Sequence, residues 1–258
     1  EHTTRGTIIT ARLVLGPPQT GHGLAVYPLT AGTNGGPSYI TLGEALGAGS
    51  ARVREVNAGG VVPELRFENL GDRRVLVLDG EELRGAKQNR ILNTTILVGK
   101  HRTLGVPVSC TEQGRWRYET PEFAESELVA DRNVRYALKE TVAASAREGR
   151  GFRSDQGRVW HEVAALHEKH RTFSPTGAQR DAYAHKKRDL DEVVAGFPLV
   201  DGQQGLLVVH GEHVVGLDFV SIAEKYALLH DRLLRSYVFE ALAGDTEVCD
   251  DRVVAEAF

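Results

Sequence analysis

Methionine is absent from all 258 residues, which is unusual for a chain of this length. Cysteine occurs twice, as Cys110 and Cys249. So distant a pair forms neither a metal-binding nor a redox spacing, and a reducing cytoplasm is the expected compartment. No run of about 18 apolar residues is present, so no membrane-spanning helix is expected. No basic stretch followed by an apolar one opens the chain, so no signal peptide is expected, although a processed chain would read the same way. An excess of positive charge is also lacking. The formal net charge of −4 argues against a globally nucleic-acid-binding surface. RNA binding is disfavoured further because no aromatic platform is interleaved with the basic residues.

Several catalytic signatures are missing too. Lys87 is not followed by Ser or Thr, and Gly-x-Gly-x-x-Gly does not occur, so neither a P-loop nor a dinucleotide fingerprint is present. His161-Glu162 has its next histidine at His167, which breaks the zincin spacing. His167 and His170 share a face of an expected helix but have no third ligand nearby, which favours structural or surface histidines. No Gly-x-Ser-x-Gly elbow appears.

What is there is a mixed pattern. Strands are expected at residues 7–15, 23–29, 52–56, 65–68, 75–78, 91–98 and 106–110, with one or two helical turns at 41–46. The character changes near residue 122. Val134, Ala137, Leu138, Thr141 and Val142 follow helical spacing. Ser154 can cap a second helix, and Ser174-Pro175 can open a third that runs to about Val194 and stops at Gly196-Phe197-Pro198. Residues 206–210 and 213–219 flank Gly211-Glu212 as a two-residue hairpin. A last helix covers 222–242, followed by an acidic tail with Asp245, Glu247, Asp250 and Asp251. Strands, then helices, then a hairpin and a helix imply an α+β fold. One domain over 1–258 is expected, with residues 122–197 as a helical insertion or subdomain.

Two polar clusters stand out. The first is Asp79-Gly80-Glu81-Glu82-Leu83-Arg84-Gly85-Ala86-Lys87-Gln88-Asn89-Arg90. Its glycines permit tight backbone geometry. Arg84, Lys87 and Arg90 supply cationic donors, Gln88 and Asn89 supply amides, and Glu81 and Glu82 can act as general bases or hold a divalent metal. A solvated hairpin turn has the same residue types. The second cluster is Ser109-Cys110-Thr111-Glu112-Gln113-Gly114-Arg115-Trp116-Arg117. Glu112 is a further acid–base or hydroxyl-binding candidate, Arg115 a phosphate ligand, and Trp116 a stacking wall or a core aromatic. Cys110 reads better as a packed small hydrophobe than as a nucleophile. Between Arg84 and Arg117 seven cationic side chains face one carboxylate, a local charge of +6 suited to an anionic small molecule.

Both strings resemble the signature of a prokaryotic domain family without an assigned activity, named for its association with ADP-ribosylglycohydrolases and rhodanese–phosphatase proteins. Looser similarity extends to Ser154-Asp155-Gln156 with Trp160, to Ser174-Pro175-Thr176 and to Gly216-Leu217-Asp218-Phe219. The resemblance implies work near ADP-ribose or a related phosphorylated nucleoside. The expectation is a site in 79–117 that binds, and in one version hydrolyses, such a ligand. Arg84, Lys87, Arg90 and Arg115 would hold phosphate, Gln88 and Asn89 would orient it, Trp116 would wall it, and Glu81, Glu82 or Glu112 would be catalytic. A non-catalytic sensor or interaction module, and a purely structural ion network, are the alternatives.

Overall fold

The computed structural model describes residues 13–32, 36–57 and 59–242. The expected strand at residues 7–15 is described only from Leu13. Cys249 and the acidic tail lie outside the described residues.

Continuous apolar runs make the first sheet. β1 (Leu13–Leu15), β2 (Gln19–Gly21) and β3 (Leu24–Ala31) precede a second short strand, β4 (Tyr39–Thr41). Thr41 then caps α1 (Leu42–Gly47) in a capping box with Glu44, as Ser/Thr-x-x-Glu predicts. β5 (Ala51–Glu55) and β6 (Glu64–Asn69) alternate buried and exposed residues, the mark of a sheet with one covered face. β7 (Arg74–Val77), β8 (Glu81–Gly85), β9 (Arg90–Leu92), β10 (Ile96–Val98), β11 (Thr103–Cys110) and β12 (Phe123–Val129) complete the β-rich part. Four helices follow: α2 (Arg132–Arg147), α3 (Gln156–Lys169), α4 (Gln179–His185) and α5 (Lys187–Ala195). The hairpin β13 (Gly205–His210) and β14 (His213–Phe219) leads to α6 (Ala223–Ala227) and α7 (His230–Leu242). The fold is α+β. Among the described residues no helix is long and apolar enough to cross a membrane.

Six strands in the order β12-β8-β9-β11-β6-β5 form a curled sheet. Its two edges approach one another, and Arg54 of β5 donates from Nε to Glu122 beside β12 at 2.8 Å. Leu65, Phe67, Leu83, Val106 and Val108 fill the interior. Ile40, Val75, Val77 and Val98 of the small sheet β10-β7-β4 join the same core. The late hairpin returns to the first sheet, where β13 lies between β3 and β14. Leu206 and Val208 pack on Leu190 and Val193 of α5 and on Leu233 and Val238 of α7, while Leu207 and Val209 face the other way. That two-sided burial explains the uninterrupted apolar run.

Several boundaries differ from the sequence expectation. Residues 91–98 are two strands in different sheets. Asn93 takes a hydrogen bond from Ser109 Oγ at 2.6 Å and donates to Phe152 O at 3.0 Å, which turns the chain out of the curled sheet. β12 occupies a stretch expected to begin the helical region. Asp155, not Ser154, caps α3 by accepting from Arg158 N–H at 3.1 Å, while the Ser154 hydroxyl meets Ser109. The third helix does not begin at Ser174-Pro175. Ala178 bridges Glu112 in strand fashion and Gln179 N–H donates to Thr111 O at 2.9 Å, so the segment stays extended until α4. The expected single helix is also divided at Lys186, and the last helix is broken between α6 and α7.

One buried ion pair joins these parts. Arg135 of α2 grips Asp218 of β14 with both terminal nitrogens, at 2.8 and 2.6 Å. The Tyr237 hydroxyl of α7 donates to the same carboxylate at 2.6 Å, and Asp79 lies 3.5 Å from the guanidinium. Burial alone would raise the Asp218 pKa, but Arg135 outweighs it and holds the group at about 2. Removing one partner leaves the other charged and unpaired in a dry site. Asp218→Asn should therefore lower unfolding free energy by about 3–5 kcal/mol, read from urea denaturation midpoints. An unchanged midpoint would deny the pair this structural role.

Candidate functional site

The two polar clusters meet through Arg115. Its side chain is 4% exposed and reaches across to the turn between β8 and β9. Nε donates to Glu112 Oε2 at 2.9 Å, Nη1 to Ala86 O at 2.9 Å, and Nη2 to Asn89 Oδ1 at 3.1 Å. The turn needs a left-handed backbone at Gly85, where φ is +107°, and a side chain there would run into Thr120. Asn89 seals the turn by accepting from Gly85 N–H at 3.1 Å. On the other side Gly114 allows the loop after β11 to touch the backbone of Thr176. Its N–H donates to Thr176 O at 2.7 Å, and a Cβ would lie 3.0 Å from Thr176 Cα. Thr176 in turn donates to Glu112 Oε1 at 2.8 Å.

Glu112 is thus clamped from three directions, by Arg115, by Thr176 and by Asn89 N–H at 3.2 Å. Burial would raise its pKa, but these donors hold it below the usual carboxylate range. It stands at the wall of a cleft of about 470 Å³. Arg84, Asn89, Glu119, Thr176, Arg180 and Asp181 also line this space. The side chains of Arg84 and Arg180 make no hydrogen bond and no ion pair within 4 Å with any described residue. Glu119 lies 3.5 Å from Arg115 Nε and is more than half exposed. Asp181 accepts from Ser174 Oγ at 2.6 Å.

The remaining sequence candidates lie elsewhere. Arg90 is fully buried, donates to Gln88 Oε1 at 2.6 Å and contacts the Cys110 sulfur. Its Nη2 lies 3.9 Å from Glu55, whose carboxylate oxygens have no hydrogen-bond partner among the described residues. Trp116 is 47% exposed and covers this nest, with the Arg90 guanidinium 5.4 Å from its ring centre. Lys87 sits 5.2 Å from the Trp116 ring and donates to Gly59 O at 2.6 Å. Gln88 spends its amide on the Glu112 carbonyl. Burial pushes the Cys110 thiol up to about 11, against the pull of Arg90, so the buried sulfur is a packing group.

Glu81 and Glu82 are nearly inaccessible and point to opposite sides of β8, as neighbours in a strand must. Glu81 accepts from Leu78 N–H at 2.7 Å and faces Arg232 at 3.6 Å. Burial raises it to about 7 despite those donors. Glu82 accepts from Thr111 Oγ1 at 3.0 Å and is also raised by burial, with the Arg180 charge opposing the shift. The Ser126 hydroxyl across the strand pair also opposes that rise. Opposite Glu82 the pairing of β12 with β8 breaks between Glu125 and Val129, and Glu127 takes a left-handed φ of 61°. Such a bulge at a non-glycine residue costs about 1–3 kcal/mol and recurs beside functional sites. Among the described residues no group of three or more His, Cys, Asp or Glu side chains could hold a metal ion.

The structure therefore brings Asn89, Glu112 and Arg115 together with Arg84 nearby, and keeps Glu81, Arg90, Lys87 and Trp116 off the cleft wall. Thr176, noted in the weak Ser174-Pro175-Thr176 string, joins the site directly. Arg180 and Glu119 carried no signal in the sequence. From residue 12 to residue 257 the chain matches the family described as the ARG and Rhodanese-Phosphatase-superfamily-associated Protein domain. The chain belongs to this family. No curated protein and no solved structure matches it. The match thus extends well beyond the two strings, over residues 12–257 of the chain.

Two outcomes follow from the burial of these groups. Glu81 has an ordinary pKa of 4.5 and a folded value of about 7, so the folded state holds its proton more tightly. Its contribution is complete below pH 4.5 and is lost as pH rises through 7. Over that window wild-type stability should fall by roughly 3 kcal/mol relative to Glu81→Gln, measured by urea denaturation at several pH values. Parallel pH profiles would refute it. Arg90→Ala should lower stability by about 3–5 kcal/mol, since Glu55 would stay buried without its cation. A melting temperature equal to wild type would contradict this placement.

Proposed function

We propose that this domain binds a phosphorylated, hydroxyl-bearing small molecule of the ADP-ribose kind in the cleft beside Glu112. The observation that supports this most is the pair of guanidinium groups, Arg84 and Arg180, lining the cleft with no carboxylate within 4 Å of either among the described residues. A planar guanidinium suits phosphate oxygens in a two-point contact. Glu112, Glu119 and Asp181 offer acceptors to sugar hydroxyls across the same space. The family's association with ADP-ribosylglycohydrolases is in keeping with such a ligand, although association alone carries no mechanism. The domain would act as one α+β unit in the reducing cytoplasm that its cysteine usage suits.

Binding is favoured over turnover. A carboxylate held as low as Glu112 is a poor proton acceptor near neutral pH but a good hydroxyl anchor. Hydrolysis is the second reading, and the observation favouring it is Glu82, a buried carboxyl raised by burial that accepts from Thr111 Oγ1 at 3.0 Å, one residue before Glu112 of the cleft wall. Calorimetry with ADP-ribose separates wild type from Arg180→Ala, which should lose about 1.5–3 kcal/mol of affinity. Arg84→Ala should lose a similar amount. Equal affinity in both variants would remove the phosphate role. Product analysis with and without Mg²⁺ or Mn²⁺ distinguishes the readings: turnover abolished by Glu82→Gln would favour hydrolysis.

A further inference from the structure

The 470 Å³ cleft is not isolated. A second cavity of about 260 Å³ shares Arg180 with it and continues between the same two elements. Ala124 of β12 borders the first space, and Ser126, Glu127 and Leu128 of the bulge border the second. Across from them α4 contributes Asp181 to the first and Tyr183 and Ala184 to the second. β12 pairs in the sheet only with β8, and the residues of its bulge share the second cavity with α4. The two lobes differ in chemistry. The first is walled by Asn89, Glu112, Glu119 and Thr176; in the second, Leu128, Tyr183, Ala184 and Leu190 stand among Ser126, Glu127, Lys187 and Arg235. Lys187 and Arg235 both pair with Asp191, whereas the Arg180 guanidinium at the seam has no ion pair within 4 Å among the described residues.

We infer that the two lobes form one groove for a two-ended ligand, a nucleoside diphosphate carrying a second sugar, with its diphosphate at Arg180. The nucleobase lies in the lobe made by the β12 bulge, where apolar walls favour a flat, weakly polar ring. The terminal sugar lies in the polar lobe, where Glu119 and Asp181 accept its hydroxyls. This rests on the anion-binding reading above and adds which end goes where. Glu127, with its left-handed backbone, itself lines the second lobe, so the bulge shapes that wall.

Calorimetry of the full chain with ADP-ribose, ADP and pyrophosphate tests it. ADP-ribose should bind at least tenfold tighter than ADP, and ADP at least tenfold tighter than pyrophosphate. Ala184→Glu, an exposed helix position, should weaken ADP and ADP-ribose tenfold or more by filling the base lobe with a charge. Glu119→Ala should erase most of the advantage of ADP-ribose over ADP. Circular dichroism establishes that both variants are folded. If ADP-ribose binds no tighter than ADP, or if Ala184→Glu binds both as wild type does, the two-ended groove is wrong even where pyrophosphate still binds through Arg180. If none of the three binds, the anion-binding reading falls first and this inference with it.

Discussion

The bidentate contact between Arg135 and Asp218 is the constraint on which the rest of the structure hangs. It joins α2 to β14, recruits Tyr237 from α7, and brings Asp79 from the start of β8 within reach. Four elements distant in sequence therefore converge on one guanidinium. A buried charge tolerates no second arrangement, because any shift strands it without a partner in a low-dielectric medium. Apolar packing alone would let the curled sheet and the helices slide. This contact fixes how the late hairpin and last helix sit against β8, and so where the β8–β9 turn begins.

A smaller version of the same device shapes the cleft. Arg115 spends its donors on Glu112, Asn89 and backbone carbonyls, so its charge is consumed in building the wall. Glu112 is the product of that construction, a buried carboxylate held ionised by three donors at the cleft wall. The cations left over are Arg84 and Arg180, one on the far end of β8 and one on α4. Affinity for an anion comes from such leftovers: a guanidinium already satisfied by protein gains little by exchanging one acceptor for another.

Much of the candidate site was legible. Gly80 and Gly85 announced tight geometry, and the concentration of polar side chains in 79–117 announced a cluster rich in ligand-recognising groups; Gly114 carried no such signal. The local charge of +6 was a true count, but side chains with the same formal charge went to opposite uses. Arg90 and Arg115 were drawn inside by Glu55, Glu112 and nearby carbonyls, while Arg84 stayed exposed. Nothing in residue type distinguishes these fates. No strand was expected over β8, so neither the opposite placement of Glu81 and Glu82 nor the cover on both faces was readable. Arg180 was invisible because its importance comes from what it faces, and its neighbours in sequence are an ordinary helix.

The sequence by itself determined the α+β order, the hairpin at Gly211, the capping box at Thr41 and the family. Each depends on interactions within a few residues or on strings long enough to be specific. Tertiary structure alone decided that β9 and β10 part company at Asn93, that α4 starts late because Ala178 and Gln179 join the loop after β11, and that β12 bulges open opposite Glu82. These outcomes depend on which groups a distant segment leaves unsatisfied. Hydrogen-bond demand in a buried site is a property of the assembled neighbourhood, and no local pattern carries it.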